Sequence, residues 1–255
     1  MDHGNFTELA EKYSQYRPGY SPFVLDIFHK LGTELSPSPR CADVGAGTGI
    51  WTRQLAAAGI QVTAVEPNDA MRSEGEKLNG NLSVSWQKGA AEDTGLDGAA
   101  YHMVSMASAF HWADFDTAVQ EFSRILQPRG VFMALWNTRK WESNPLLVRI
   151  ENQLHDLVPE MKRVSSGRSE FCNNLTESLK ARPEFDDVVY LEGCHVELQS
   201  VERYIGLWES VNDVRVQAGP ERFASFLDII RKETESVDVI EAEYLTRAWI
   251  ARRKS

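Results

Sequence analysis

Asp43, Gly45, Gly47 and Gly49 form the pattern D-x-G-x-G-x-G, and Glu66 closes the next apolar run, Ile60 to Val65. Alternating glycines let a backbone turn sharply and approach a ligand with no side chain in the way. An acid at the end of a second strand suits two ribose hydroxyls. The combination describes a crevice for an adenosine-containing cofactor, with Ala46 inside the turn expected to touch it. The other reading of the same residues is an α/β turn whose glycines bind nothing.

Spacing separates the cofactors. A dinucleotide fingerprint needs G-x-G-x-x-G, with the third glycine packed beside the pyrophosphate. Counted from Gly45 that place is Ile50, and counted from Gly47 it is Thr52. Asp43, just before the turn, would repel a pyrophosphate and attract a cationic amino-acid end. S-adenosylmethionine has that end and no phosphate.

The elements that hold this turn follow from periodicity. Cys41 to Val44 reads as a strand, Trp51, Leu55, Ala56 and Ala58 recur at helical spacing, and Gly59 stops the helix. Before them, Phe6 to Leu31 reads as a helical extension, with Phe6, Leu9, Ala10 and Tyr13 on one stripe and Pro18 and Pro22 as breaks. After them come strands over Leu82 to Trp86, Tyr101 to Ala107 and Val131 to Asn137. A helix, Phe115 to Leu126, and a turn, Gln127 to Gly130, lie between the last two. Further on, helices are expected over Pro145 to Leu157 and Leu175 to Lys180. A sixth strand is expected over Phe185 to Leu198 with a turn at Gly193, then two helices, Val201 to Val214 and Glu221 to Ser236, and a last strand, Tyr244 to Ala251.

Candidate site residues cluster where such strands end. Pro67 and Met71 are placed to meet an adenine ring, although Met71 reads equally as an ordinary core residue. The N–H of Ala91 and the carboxylate of Glu92 are expected to read the adenine edge, unless the segment is a solvated acidic loop. Ser108, Phe110, His111 and Trp112 sit at the carboxyl end of the fourth strand, where open sheets bind ligands. Ser108 and Phe110 are expected beside the cofactor. His111 is the candidate general base, because imidazole titrates near neutrality; its other reading is a hydrogen-bonded wall residue. Trp112, Trp136, Trp141 and Trp208, with Tyr20 and Asn137, are candidates for the acceptor pocket, against the ordinary reading of Trp as core. Tyr13, Tyr16, Arg17 and Tyr20 gather aromatics around one guanidinium. They form either a packing corner or a lid in which Arg17 pairs a methionyl carboxylate. His155 and His195 read as structural.

The 255 residues carry a net charge of −10, 42% hydrophobic and 25% charged residues, values ordinary for a globular chain. An acidic chain is a poor partner for nucleic-acid phosphates, which bind Lys and Arg. Cys41, Cys172 and Cys194 are scattered, with no CxxC and no histidine at ligand spacing, so neither a disulfide framework nor a metal site is expected. The first residues lack the basic-then-apolar pattern of a signal peptide, and no apolar run reaches about 18 residues. The expectation is a cytoplasmic chain without a membrane partner.

The D-x-G-x-G-x-G turn with Glu66 resembles the class I S-adenosylmethionine-dependent methyltransferases. YSQYRPGY, GAAED, SAFHWAD, RILQPRG and ALWNTR are similar, in order and spacing, to segments of their small-molecule branch, which includes enzymes like trans-aconitate methyltransferase. The likeness runs from about Phe6 to about Lys140, with Arg129 in place of a turn glycine and His102 in place of an Asp. It implies an α/β, Rossmann-like, doubly wound seven-stranded sheet whose last strand is antiparallel. One domain would span 1–255, with a helical N-terminal lid over 1–34, a cofactor core over 35–140, and a helical cap insert over 200–238. It also implies in-line methyl transfer to a small-molecule acceptor at O, N or C, leaving S-adenosylhomocysteine. A nicotinamide-dependent oxidoreductase is the competing enzyme reading, disfavoured by the glycine spacing. A cofactor-binding protein without methyl-transfer activity is the competing non-enzyme reading.

Overall fold

The computed structural model describes residues 10–162 and 167–255, so Phe6 and Leu9 of the expected first stripe lie outside the described residues. The elements in chain order are α1 Ala10–Tyr16, α2 Pro22–Leu35, β1 Arg40–Val44, α3 Ile50–Ala57, β2 Gln61–Val65, α4 Asp69–Leu78, β3 Val84–Gln87, β4 Tyr101–Ala107 and α5 Phe115–Ile125. There follow β5 Leu126–Arg139, α6 Pro145–Leu157, α7 Glu170–Lys180, β6 Phe185–Ser200, α8 Val201–Glu209, α9 Asn212–Glu233 and β7 Val239–Arg253. The strands form one seven-stranded sheet in the order β3-β2-β1-β4-β5-β7-β6, with β7 antiparallel to both its neighbours and the other pairings parallel. The order reverses between β1 and β4. That reversal opens a crevice at the carboxyl ends of these strands.

Sequence explains the layering. Cys41, Ala42, Asp43 and Val44 are all fully buried, because a central parallel strand has helices on both faces. Helix α5 starts where the Asp114 side chain accepts the Thr117 N–H, and it buries Ala118, Val119, Phe122 and Ile125 on one face. Phe122 stacks on Phe132 of β5 at 4.9 Å between ring centroids, with no exposure to solvent. Truncating such a ring to Ala costs about 3–5 kcal/mol. Trp51, Leu55 and Phe28 fill the opposite face beneath α2 and α3.

Several expectations change, three of them with a clear physical reason. The turn before the fifth strand is absorbed into β5, which starts at Leu126, and Arg129 takes the left-handed φ of 66° that a glycine would hold more cheaply. Gly193 makes no turn: β6 runs through it, paired with Thr246. A Cβ there would lie 2.5 Å from Ser21 Oγ, so the glycine lets the start of α2 press onto the sheet. The second cap helix begins early, at Asn212, and bends at Gly219 (φ 74°) before Pro220.

Candidate active site

The glycine turn leaves β1 with Gly45 at φ 65° and Gly47 at φ 59°, both left-handed. A Cβ on Gly45 would stand 2.7 Å from Ala109 Cβ, so the turn and the end of β4 meet at van der Waals distance only without one. The N–H groups of Gly45 and Ala46 donate to Val65 O at 2.8 and 3.1 Å, tying the turn to the end of β2. Glu66 completes the corner. Its Oε2 accepts the Gly47 N–H and its Oε1 accepts the Asn68 N–H, each at 2.8 Å. Burial raises the Glu66 pKa, and the two backbone bonds and nearby Arg72 oppose it. Asn68 in turn caps α4 by accepting from Ala70 and Met71.

This corner opens into a cavity of about 980 Å³ that reaches from the glycine turn to the cap helices. The turn side is lined by Gly45, Ala46, Gly47, Glu66, Pro67 and Met71. Ala91 and Glu92 form the next wall, and one Glu92 oxygen accepts the Asp114 N–H at 2.6 Å. Tyr13 and Arg17 close the cavity from the N-terminal side. The Arg17 guanidinium stacks 4.8 Å from the Tyr13 ring centre and donates through Nε and Nη2 to the Ser210 hydroxyl and carbonyl. At the seam, the Tyr20 and Ser108 hydroxyls meet at 3.0 Å, with Ser108 at φ 55°. Burial drives the Tyr20 phenol far up, so it stays protonated. The remaining wall includes Trp112, Asn137 and Trp141. Asn137 donates to Gly19 O and accepts from Thr246, which in turn accepts the Ser21 N–H at 2.8 Å. These bonds fix the segment that carries Tyr20.

Other expected site residues are not brought to the cavity. Asp43 lies behind the turn: Thr52 Oγ1 donates to its Oδ2 at 2.5 Å and Ser105 Oγ to its Oδ1 at 2.9 Å. Burial pushes it up to about 7, against those two hydroxyls and with help from Glu66. It braces β1 against α3 and β4. Gly49 is the α3 N-cap at φ 78°, and a Cβ there would strike the Trp86 ring at 2.9 Å; it serves helix–strand packing. Tyr16 turns away onto α8, where its ring fills the space a Cβ on Gly206 would need. Phe110 is fully buried among Phe115, Phe122, Phe132 and Phe171.

His111 lies beside the cavity, between Trp112 and Trp136. It does not line the cavity; its Nδ1 accepts the Trp136 indole N–H at 3.2 Å, and its Nε2 is buried with no hydrogen-bond partner among the described residues. Burial lowers its pKa to about 4, leaving it neutral, with its one lone-pair nitrogen already occupied. His111 thus sits behind the cavity wall, bonded to Trp136. Trp136 and Trp208 are core, 1% and 0% exposed, and the Arg139 guanidinium lies 4.3 Å over the Trp208 ring.

Several cavity residues carried no sequence signal that singled them out. Arg139 donates to Glu151 at 2.8 Å in an ion pair that is 11% and 12% exposed, and both residues line the end of the cavity towards α8. His155, expected to be structural, lines the same end one helical turn after Glu151. Glu151, Asn152 and His155 form a polar flank of α6 beside the buried Leu147, Ile150 and Leu154, and that flank lines the cavity. Arg168 reaches the cavity from the loop before α7, in a salt bridge with Glu142.

Residues 42–134 match the family model for a methyltransferase domain. An uncharacterized methyltransferase of Mycobacterium tuberculosis (strain ATCC 25618 / H37Rv) is 33% identical over 136 residues, covering 53% of this chain and 53% of that protein. The match thus spans about half the length of such curated relatives. An uncharacterized methyltransferase of Schizosaccharomyces pombe (strain 972 / ATCC 24843) extends the likeness to 97% of this chain and 96% of its own length at 22% identity. Among solved structures, a protein provisionally described as a type II methyltransferase from Anaeromyxobacter dehalogenans superposes with a TM-score of 0.67 at 23% identity, covering 93% of this chain and 98% of that one. The fold is a methyltransferase fold. Its glycine turn, the end of β2 and the end of β4 line one cavity.

Proposed function

We propose that this chain moves a methyl group from S-adenosylmethionine to a small organic acceptor. The observation that carries the reading is Glu66, a buried carboxylate pinned by the Gly47 and Asn68 N–H groups on the wall of the cavity. A carboxylate has lone pairs enough for two further donors, which suits a ribose diol, and it opposes a pyrophosphate at the same place. The left-handed Gly45 and Gly47 supply a side-chain-free cradle. The residues therefore fit this cofactor, which when bound supplies an electrophilic methyl on a sulfonium.

The chain's own part is alignment and exclusion of water. Glu66 would hold the ribose, Met71 and Ala91 would flank the adenine, and Glu92 would face its edge. Arg17, anchored on Ser210, would pair the methionyl carboxylate. Trp112, Asn137 and Trp141 would face the acceptor, beside the Tyr20–Ser108 hydroxyl pair. The cavity lies at the upper end of the roughly 300–1,000 Å³ usual for small-molecule sites, enough for a cofactor and a small acceptor together. The YSQYRPGY segment places Tyr13, Arg17 and Tyr20 on that cavity, which favours the small-molecule branch similar to trans-aconitate methyltransferase. The test is incubation of the protein with cell extract and cofactor bearing a deuterated methyl. A labelled small-molecule product, absent with heat-killed protein, supports the reading. No labelled product above that control overturns it.

A further inference from the structure

We infer that Glu121, outside the cavity, is a positioning residue that sets the cofactor wall by holding the Gly89–Leu96 loop through Thr94; the inference rests on the cofactor reading above. Glu121 is a charged residue on the buried side of α5, among Ala118, Val119, Phe122 and Ile125, and only 8% exposed. Such a carboxylate is expensive unless paired, and an apolar residue there would stabilise the helix face more simply. Its partners show what it holds instead. Glu121 Oε1 accepts the Thr94 N–H at 3.0 Å and also the Thr94 hydroxyl. Arg124 donates to both Glu121 oxygens at 2.6 and 2.8 Å and, through Nη2, to Leu96 O at 2.7 Å.

The gripped loop is the one that lines the cavity with Ala90, Ala91 and Glu92. Helix α5 holds it at two points, because the backbone N–H of its N-cap, Asp114, is bound by Glu92, two residues before Thr94. Opposite, Gln87 donates to Thr94 O from the end of β3. The loop also packs tightly on itself and on β2: a Cβ on Gly89 would stand 2.7 Å from Thr94 O and 2.8 Å from Val65. The position of Ala91 and Glu92 is therefore set from behind by a carboxylate that touches no ligand. Losing that grip loosens the adenosine end of the site and leaves the amino-acid end, at Arg17, untouched.

Calorimetric titration of the wild type and Glu121→Gln with S-adenosylhomocysteine and with adenosine, beside thermal melts of the unliganded proteins, tests this. The inference predicts that both ligands weaken by the same factor, about tenfold, the scale of one charge-assisted hydrogen bond. Thr94→Val, which removes only the hydroxyl, should weaken both in the same direction by less, and it carries the test should Glu121→Gln not fold. A merely structural Glu121 would lower the melting temperature and leave both dissociation constants at their wild-type values; that result overturns the inference. A loss confined to S-adenosylhomocysteine, sparing adenosine, overturns it as well. A wild type that binds neither ligand overturns the cofactor reading itself, and this inference with it.

Discussion

Replacing Asp43 by Asn should reshape how stability depends on pH. Asp43 is completely buried, and its carboxyl is pushed up to about 7, chiefly by loss of water, with the Thr52 and Ser105 hydroxyls pulling the other way. In the unfolded chain it titrates near 3.9. The raised folded value means that Asp43 contributes fully to stability below about pH 4, and that this contribution is lost as pH rises towards 7. About three pKa units at about 1.4 kcal/mol each give a loss on the order of 4 kcal/mol across that range. Asparagine keeps the shape, accepts from one hydroxyl and donates to the other, and does not titrate. Urea unfolding of wild type and Asp43→Asn, compared at each pH from 5 to 8, isolates this group from the other carboxylates. The wild type should lose about 3 kcal/mol relative to the variant over that interval, with the difference levelling off above pH 7. A difference that stays flat with pH would refute the account of Asp43 as a desolvated brace beneath the turn.

Glu66→Gln should weaken S-adenosylhomocysteine binding by about 10²-fold, the loss of charge from two ribose bonds, and should lower the unfolding free energy by about 1–3 kcal/mol, because the amide NH2 faces one of the two backbone N–H groups that the carboxylate accepts. Calorimetry and urea melts read the two effects separately. Gly45→Ala places a methyl at φ 65° and 2.7 Å from Ala109, and should cost about 1–3 kcal/mol in chemical denaturation and depress cofactor affinity. His111→Asn should leave the pH dependence of methyl transfer between pH 6 and 8 unaltered, since a histidine held near 4 and bonded to Trp136 has no titration there. Loss of a titrating limb in that range would restore His111 as a base.

The glycine-turn half of the cavity was legible because its chemistry is local. Gly45, Gly47 and Glu66 lie within one strand–turn–helix–strand unit, and the backbone needs of that unit are written in residue type. What misled was the same locality. Asp43 and Gly49 carry the pattern, yet the strand's alternation turns Asp43 toward Thr52 and Ser105, and Gly49 answers to Trp86 on β3. His111 and Trp112 are neighbours in a single 3₁₀ turn, so Trp112 lines the cavity while His111 turns to Trp136. The end of the cavity towards α8 was illegible for a different reason. Arg139, Glu151, Arg168 and Tyr244 come from β5, α6, a loop and β7, and no spacing in the chain announces that they converge. Gly193 shows the same limit within the fold: its reason is Ser21, far away in sequence.

The central claim is that the glycine turn and Glu66 accept a phosphate-free adenosyl ligand. Parallel calorimetric titrations of the wild-type protein with S-adenosylhomocysteine and with NAD test it most directly. The account predicts saturable one-to-one binding of S-adenosylhomocysteine and none of NAD; binding of NAD without S-adenosylhomocysteine would contradict it.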